Sequence, residues 1–207
     1  MTNGRILKLK KTKEELENDL KCFVWDFKVG DNINYNLDIL YTLIDDFNKL
    51  YRNYSKPISI ITVSIIEAIM IDFTYRLYDG TSHFPDSLKG KENEIKSNLA
   101  AKTKKIECVD NDGNKHEYSV LKNFNFTLMI EIYRELKLFG DNKKVYKFLT
   151  QIAYFRNRIH IKNYFNNFEK DEGITFSTKR TQDSLNVMVW CFNYFKDNYK
   201  RPWKNGK

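Results

Sequence analysis

Helix-breaking residues are scarce in this chain, with 8 glycines and 3 prolines in 207 residues. So few breakers among so many large apolar side chains favour an all-α bundle with short connections. Cysteine is equally sparse. Cys22, Cys108 and Cys191 are odd in number and far apart, and no CxxC spacing occurs. That argues against a disulfide framework or a zinc site and fits a reducing cytoplasm. The opening stretch, MTNGRILKLKKTKEELENDLK, is basic and contains no apolar run that would serve as a signal peptide. One long apolar run exists, residues 58–80, but Glu67 and Asp72 interrupt it and Arg76 follows. A helix apolar on nearly every side in a soluble protein is the central helix of a bundle, so no membrane span is expected. Internal repeats and low-complexity linkers are absent from the sequence.

Carboxylate clusters suited to a metal are missing as well. Asp45 and Asp46 are adjacent, so on a helix they point in different directions. Asp110-Asn111-Asp112-Gly113-Asn114 superficially resembles the start of a calcium loop. Its twelfth position is Leu121, where a bidentate Glu is needed, and its glycine comes too early. Neither a metal nor a cofactor is expected, and a metal-dependent nuclease has no support.

What the chain does hold is apolar bulk and positive charge. Hydrophobic residues make up 42% and charged residues 30%, with 13 Tyr and 15 Phe, which marks a globular chain able to bury a core. The formal net charge is +8, and this permits an anionic partner such as RNA. The length suits one domain, 1–207, read as a helical bundle of about five main helices with a small hairpin insertion.

Residues 1–30 form an N-terminal basic and aromatic segment. Arg5, Lys8, Lys10, Lys11 and Lys13 make a basic patch, which either contacts phosphates or is a solvated face. Thr12 and Glu15 have capping-box spacing and start a short helix, ahead of Phe23, Trp25 and Phe27. An amphipathic helix is expected over 36–54 from Leu37, Leu40, Ile44, Phe47 and Tyr51. Lys56-Pro57 is read as a break, with the core helix after it closed by Gly80. On that helix Asp72 and Arg76 have i,i+4 spacing and read as a surface pair, whereas Glu67 either holds Arg156 across the core or faces a polar seam. Residues 81–118 are a polar insertion: a short polar helix over 91–104, then two strands turning at Asp112-Gly113. His83 and His116, in or beside these segments, read as surface histidines. A helix is expected from Leu121 to Phe139, and the short Gly140-Asp141-Asn142 link should pack it against the next one. After Phe168 comes a loop with a short strand at 174–177. The last helix carries Leu185, Met188, Phe192, Phe195 and Tyr199, and Pro202 ends it by Arg201. Trp203 stands in a basic tail.

The residues with chemical potential lie in Val145–Phe165. At about 100° per residue, Val145, Phe148, Leu149, Ile152, Phe155 and Ile159 form one apolar stripe. Arg156 falls inside it, His160 lies at its margin one turn on, and Arg158 points out of the back. A guanidinium on a core-facing stripe is costly unless an anion meets it. Two readings compete: a catalytic Arg/His pair acting on a phosphodiester, or a structural Arg paired with a bundle carboxylate beside a satisfied histidine.

Arg156-Asn157 followed by His160, together with the apolar helix ISIITVSIIEAIMIDF and its mid-helix Glu67, resembles the HEPN superfamily of helical-bundle domains found in prokaryotic toxins and defence ribonucleases. The resemblance covers roughly residues 36–78 and 120–200. Its Arg-Asn-x-x-His element is moderately specific and the remainder is generic bundle. The family usually spaces its Arg and His further apart; here Asn157, Arg158 and Ile159 alone separate them. The i,i+4 spacing keeps both side chains on one helical face. The resemblance implies metal-independent RNA cleavage in a composite cleft of a homodimer, in a cytoplasmic toxin or phage-defence protein. His160 would be the general acid or base, Arg156 the stabiliser of transition-state charge, and Asn157 and Glu67 supporting residues. Arg158, Lys162, Asn163 and Tyr164 would be RNA contacts. Partners would be RNA, a second copy of the chain and an antitoxin or defence protein, with no membrane. The competing reading is a non-catalytic HEPN-like module that binds RNA or a protein.

Overall fold

The helix α3 (Ser55–Asp79) is the axis of the molecule, because it is apolar on almost every side and therefore has to be covered on almost every side. Ile58, Val63, Ile65, Ile66, Ile69, Met70, Phe73 and Leu77 along it are all buried. The computed structural model describes residues 6–20, 28–50, 54–79, 88–101, 103–109, 113–121, 126–157 and 172–198. Within these, α1 (Lys13–Leu20), α2 (Lys28–Leu50), α4 (Glu92–Ala101), α5 (Phe126–Glu135), α6 (Lys143–Asn157), α7 (Glu172–Thr175) and α8 (Thr178–Asn198) accompany α3, and most of the described chain is helical. Helices α2, α4, α5, α6 and α8 all pack on α3. Strands β1 (Thr103–Val109) and β2 (Lys115–Leu121) pair antiparallel, with Ile106 opposite Tyr118, and Gly113 at φ 84° lies in the turn. The window Ser55–Thr74 is long and apolar enough to cross a membrane, and 67% of it is buried in the bundle.

The N-terminal segment is held by side chains that act as surrogate strands. Asn48 accepts the Leu7 N–H and donates to the Leu7 carbonyl, both at 2.9 Å, while Gln182 makes the same pair with Lys8 at 2.8 Å. Leu7 itself is buried in the core. Helix α1 then opens on the capping box read from the sequence. The Thr12 N–H donates to Glu15 Oε2 at 2.7 Å and the Glu15 N–H to Thr12 Oγ1 at 3.2 Å. Two lysines of the basic patch are committed inside the protein, Lys11 to Asp19 and Lys13 to Asp38 and Glu17.

Several expectations change. Lys56-Pro57 does not break the chain: α3 begins at Ser55, and Pro57 sits in its first turn, where a missing N–H costs no intrahelical bond. Asp72, read as a surface partner of Arg76, is 7% exposed and therefore buried. The helix expected over 121–139 is α5 from Phe126 to Glu135, because Leu121 pairs with Thr103 in the ladder. Ile174 belongs to the short helix α7 and not to a strand. Tyr51, Gly80, His83, Tyr199, Arg201, Pro202, Trp203 and the cluster Phe23, Trp25 and Phe27 lie outside the described residues.

Helix α5 ends in a Schellman closure. The Leu138 N–H reaches the Tyr133 carbonyl at 2.9 Å and the Lys137 N–H reaches that of Arg134 at 3.3 Å, with Lys137 left-handed at φ 53°. Gly140, at φ 62°, completes the reversal, and Asn142 Oδ1 caps α6 by accepting the Val145 N–H at 3.3 Å. Tyr146 ties this turn together. Its hydroxyl accepts the Phe139 N–H at 3.0 Å and shares its proton between the carbonyls of Tyr133 at 2.9 Å and Gly140 at 3.0 Å. Burial pushes the Tyr146 phenol up to about 12, against the pull of the Phe139 amide, so it is a neutral donor under any ordinary condition. The α5–α6 turn therefore fixes where α6 begins and how its faces are aimed.

Candidate functional site

Helix α6 carries positions 156 and 157 of the expected site, and its buried face differs from the expected stripe. Val145, Tyr146, Leu149, Ile152 and Ala153 are buried, whereas Phe148 is 39% exposed. At about 100° per residue the buried arc is centred roughly 70° away from the stripe read from apolar residues alone. The cause is Tyr146 and Ala153, whose burial draws the face round toward them. Position 156 still falls within this arc, one turn beyond Ile152 and two beyond Leu149. Arg156 and Asn157 form the last turn of α6. Their side chains lie outside the described part of the structure, as do Arg158, His160, Lys162, Asn163 and Tyr164 entirely. Glu67 on α3 is 7% exposed, on the helix against which α6 packs. The structure thus packs α6 on the helix that carries Glu67.

Sequence reasoning missed a second feature, a groove over the exposed side of α6. Its first part, about 680 Å³, lies over the α5–α6 turn and is bordered by Arg134, Lys137, Lys143 and Lys147. The second, about 510 Å³, lies between α6 and the start of α8, bordered by Phe148, Tyr154, Lys179 and Arg180. The two meet at Thr150 and Gln151. Arg134 donates to Thr150 Oγ1 at 3.0 Å, and Arg180 donates to the Ile174 carbonyl at 3.3 Å. Lys137 pairs with Asp141 at 2.8 Å, and that lysine holds the Asp141 carboxyl below its usual range. The carboxylates lining the groove among the described residues are Asp141 and Asp183, against six cations. The signal was present in sequence as Lys143, Lys147, Lys179 and Arg180. Without the fold, nothing placed residues 134–154 and 177–183 side by side.

No group of three or more His, Cys, Asp or Glu among the described residues is arranged to hold a metal ion. Cys191 is fully enclosed and its thiol is pushed up by burial, which makes it unreactive packing and not a nucleophile. No family model matches the chain, and no curated protein or solved structure matches it either.

Proposed function

We propose that this protein is a metal-independent endoribonuclease of the HEPN type, with Arg156 and His160 as the catalytic pair. The observation that carries the reading is the place of Arg156, at the end of α6 on the arc that Leu149, Ile152 and Ala153 bury. A cation on such an arc is favourable where an anion meets it, and a phosphodiester is such an anion. In this reading the bundle is HEPN-like, and 81–118 with its hairpin is an insertion into it. A homodimer sets two Arg/His pairs in one cytoplasmic cleft, and a toxin or phage-defence role with an antitoxin or defence partner follows.

The chemistry is internal transesterification. One imidazole takes the proton of the ribose 2′-hydroxyl as its oxygen bonds to phosphorus. The bond from phosphorus to the 5′ oxygen breaks, and a protonated imidazole returns a proton to that leaving oxygen. Arg156 offsets the charge that gathers on the phosphorane-like transition state, Asn157 orients the phosphate, and Glu67 positions the guanidinium. Arg158, Lys162, Asn163 and Tyr164 contact the flanking strand.

The test is cleavage of RNA in EDTA, with 2′,3′-cyclic phosphate ends on the products. Arg156→Ala and His160→Ala should each lower the rate by about 10²-fold or more without loss of helical signal. Cleavage surviving both changes refutes the assignment. RNA binding without cleavage supports the second reading, a non-catalytic RNA-binding module, which the cationic groove favours.

A further inference from the structure

We infer that the groove over α6 is a track for single-stranded RNA that leads toward the α6 terminus; as a path for substrate it rests on the ribonuclease reading. From Lys143 to Tyr154 the track runs about 17 Å along the helix axis. Cations border it at both ends: Arg134, Lys137, Lys143 and Lys147 on the turn side, Lys179 and Arg180 on the α8 side. Beside the α8-side cations stand two aromatic side chains that are partly open to solvent, Phe148 at 39% and Tyr154 at 36% exposure. Cations tracking a backbone, with aromatics interleaved for unpaired bases, is the arrangement that binds single strands without reading sequence. An acidic protein segment would use the charges but has no need of the aromatics. A duplex would use the phosphates but hides its base faces. Where the two parts meet, Gln151 offers a neutral amide to sugar or base edges, while the Thr150 hydroxyl beside it is engaged with Arg134 and the Tyr146 carbonyl.

The track ends short of the catalytic pair. Tyr154 is two residues before Arg156 on the same helix, so the groove reaches the last turn of α6, and at about 100° per residue position 156 lies roughly 160° round the helix from Tyr154, on the buried side. A surface that places the phosphodiester chain in this way would set KM, while Arg156 and His160 would set kcat.

The experiment is equilibrium binding of a labelled, 2′-O-methylated oligonucleotide of about twelve residues, which cannot be cleaved, across a salt series. Wild-type protein should bind with a salt slope of about −3. The double variant Lys143→Glu/Lys147→Glu should weaken binding at least tenfold and flatten that slope by at least about 1. Phe148→Ala should weaken it at least about fivefold with the slope unchanged, because stacking releases no counterions. Lys104→Glu, the same kind of charge change at an exposed position of β1 outside the groove, should alter affinity less than twofold. All four residues are exposed, and a thermal melt on each variant verifies folding. Groove variants that bind within twofold of wild type overturn the inference. So does duplex bound as tightly as single strand, or poly-glutamate bound in place of RNA. Groove variants that lose the probe while wild-type protein cleaves no RNA leave the track standing and remove the ribonuclease; cleavage with unchanged KM in those variants does the reverse.

Discussion

A single hydroxyl sets the frame in which α6 is presented. Tyr146 accepts the Phe139 amide and donates to the Gly140 carbonyl and to the Tyr133 carbonyl, which the Leu138 N–H also reaches. Tyr146→Phe removes one oxygen, keeps the ring packing, and leaves a buried N–H without its acceptor. The expected cost is about 1–3 kcal/mol, the range for an orphaned buried donor. Urea unfolding should show a lower midpoint with an unchanged m-value. Tyr35→Phe, at a position 67% exposed, should change stability by less than about 0.5 kcal/mol. Equal effects at the two sites would mean that the turn is held by its left-handed residues and not by the phenol.

Among elements, the N-terminal segment, α1 and α8 meet at one carboxylate. Asp19 is 3% exposed and is paired with Lys11 and, at 2.8 Å, with Lys196. Burial on its own would raise the Asp19 carboxyl; the two ammonium groups outweigh it and hold the group below its ordinary value. A carboxyl lowered in the folded state adds stability that is full above the unfolded value, near 3.8, and is lost as pH falls through the folded value. Asp19→Asn should therefore cost about 1–2 kcal/mol at pH 7, moderated because Lys196 is half-exposed and already partly solvated. The difference from wild type should hold flat from pH 7 to 5 and shrink below about pH 4. A difference that grows on acidification would show that the lysines do not control this carboxylate. The sequence revealed the elements meeting here because each is periodic. Leu37, Leu40 and Ile44 on α2 and Leu185, Met188, Phe192 and Phe195 on α8 are buried as their spacing requires, and Thr12 and Glu15 close the expected box. Asp19 itself carried no signal, since its two lysines lie 8 residues before it and at position 196. Pro57 misled for a different reason: a proline in a first turn and a proline after a last one read alike until the amide accounting is done. Phe148 misled because hydropathy alone aims a helix by its largest apolar residues, while Tyr146 and Ala153 decided how α6 actually turns.

At the scale of the whole molecule, the Arg-Asn-x-x-His element was legible as a contiguous string, whereas the cationic groove was not, being assembled from α5, α6 and α8 around a helix none of them adjoins in sequence. The two features differ in what they demand of the assembly. A groove that binds a strand works in a monomer, because all its cations come from one chain. The composite cleft proposed for cleavage would not, since it would draw an Arg156 and a His160 from each of two copies. RNA binding and RNA cleavage should therefore separate on dilution. Binding of an uncleavable strand per protomer should stay constant as protein concentration falls through the dimer dissociation constant. Cleavage per protomer should instead fall in proportion to the dimer fraction, which sedimentation measures on the same samples. Adding Arg156→Ala protein in excess to dilute wild type should then depress cleavage by drawing wild-type chains into mixed pairs, with no effect on groove affinity. Cleavage per protomer that is constant on dilution, and untouched by the variant, would mean that one α6 terminus suffices. The cation at position 156 would then have to find its anion within its own chain's cleft, not across a two-fold axis.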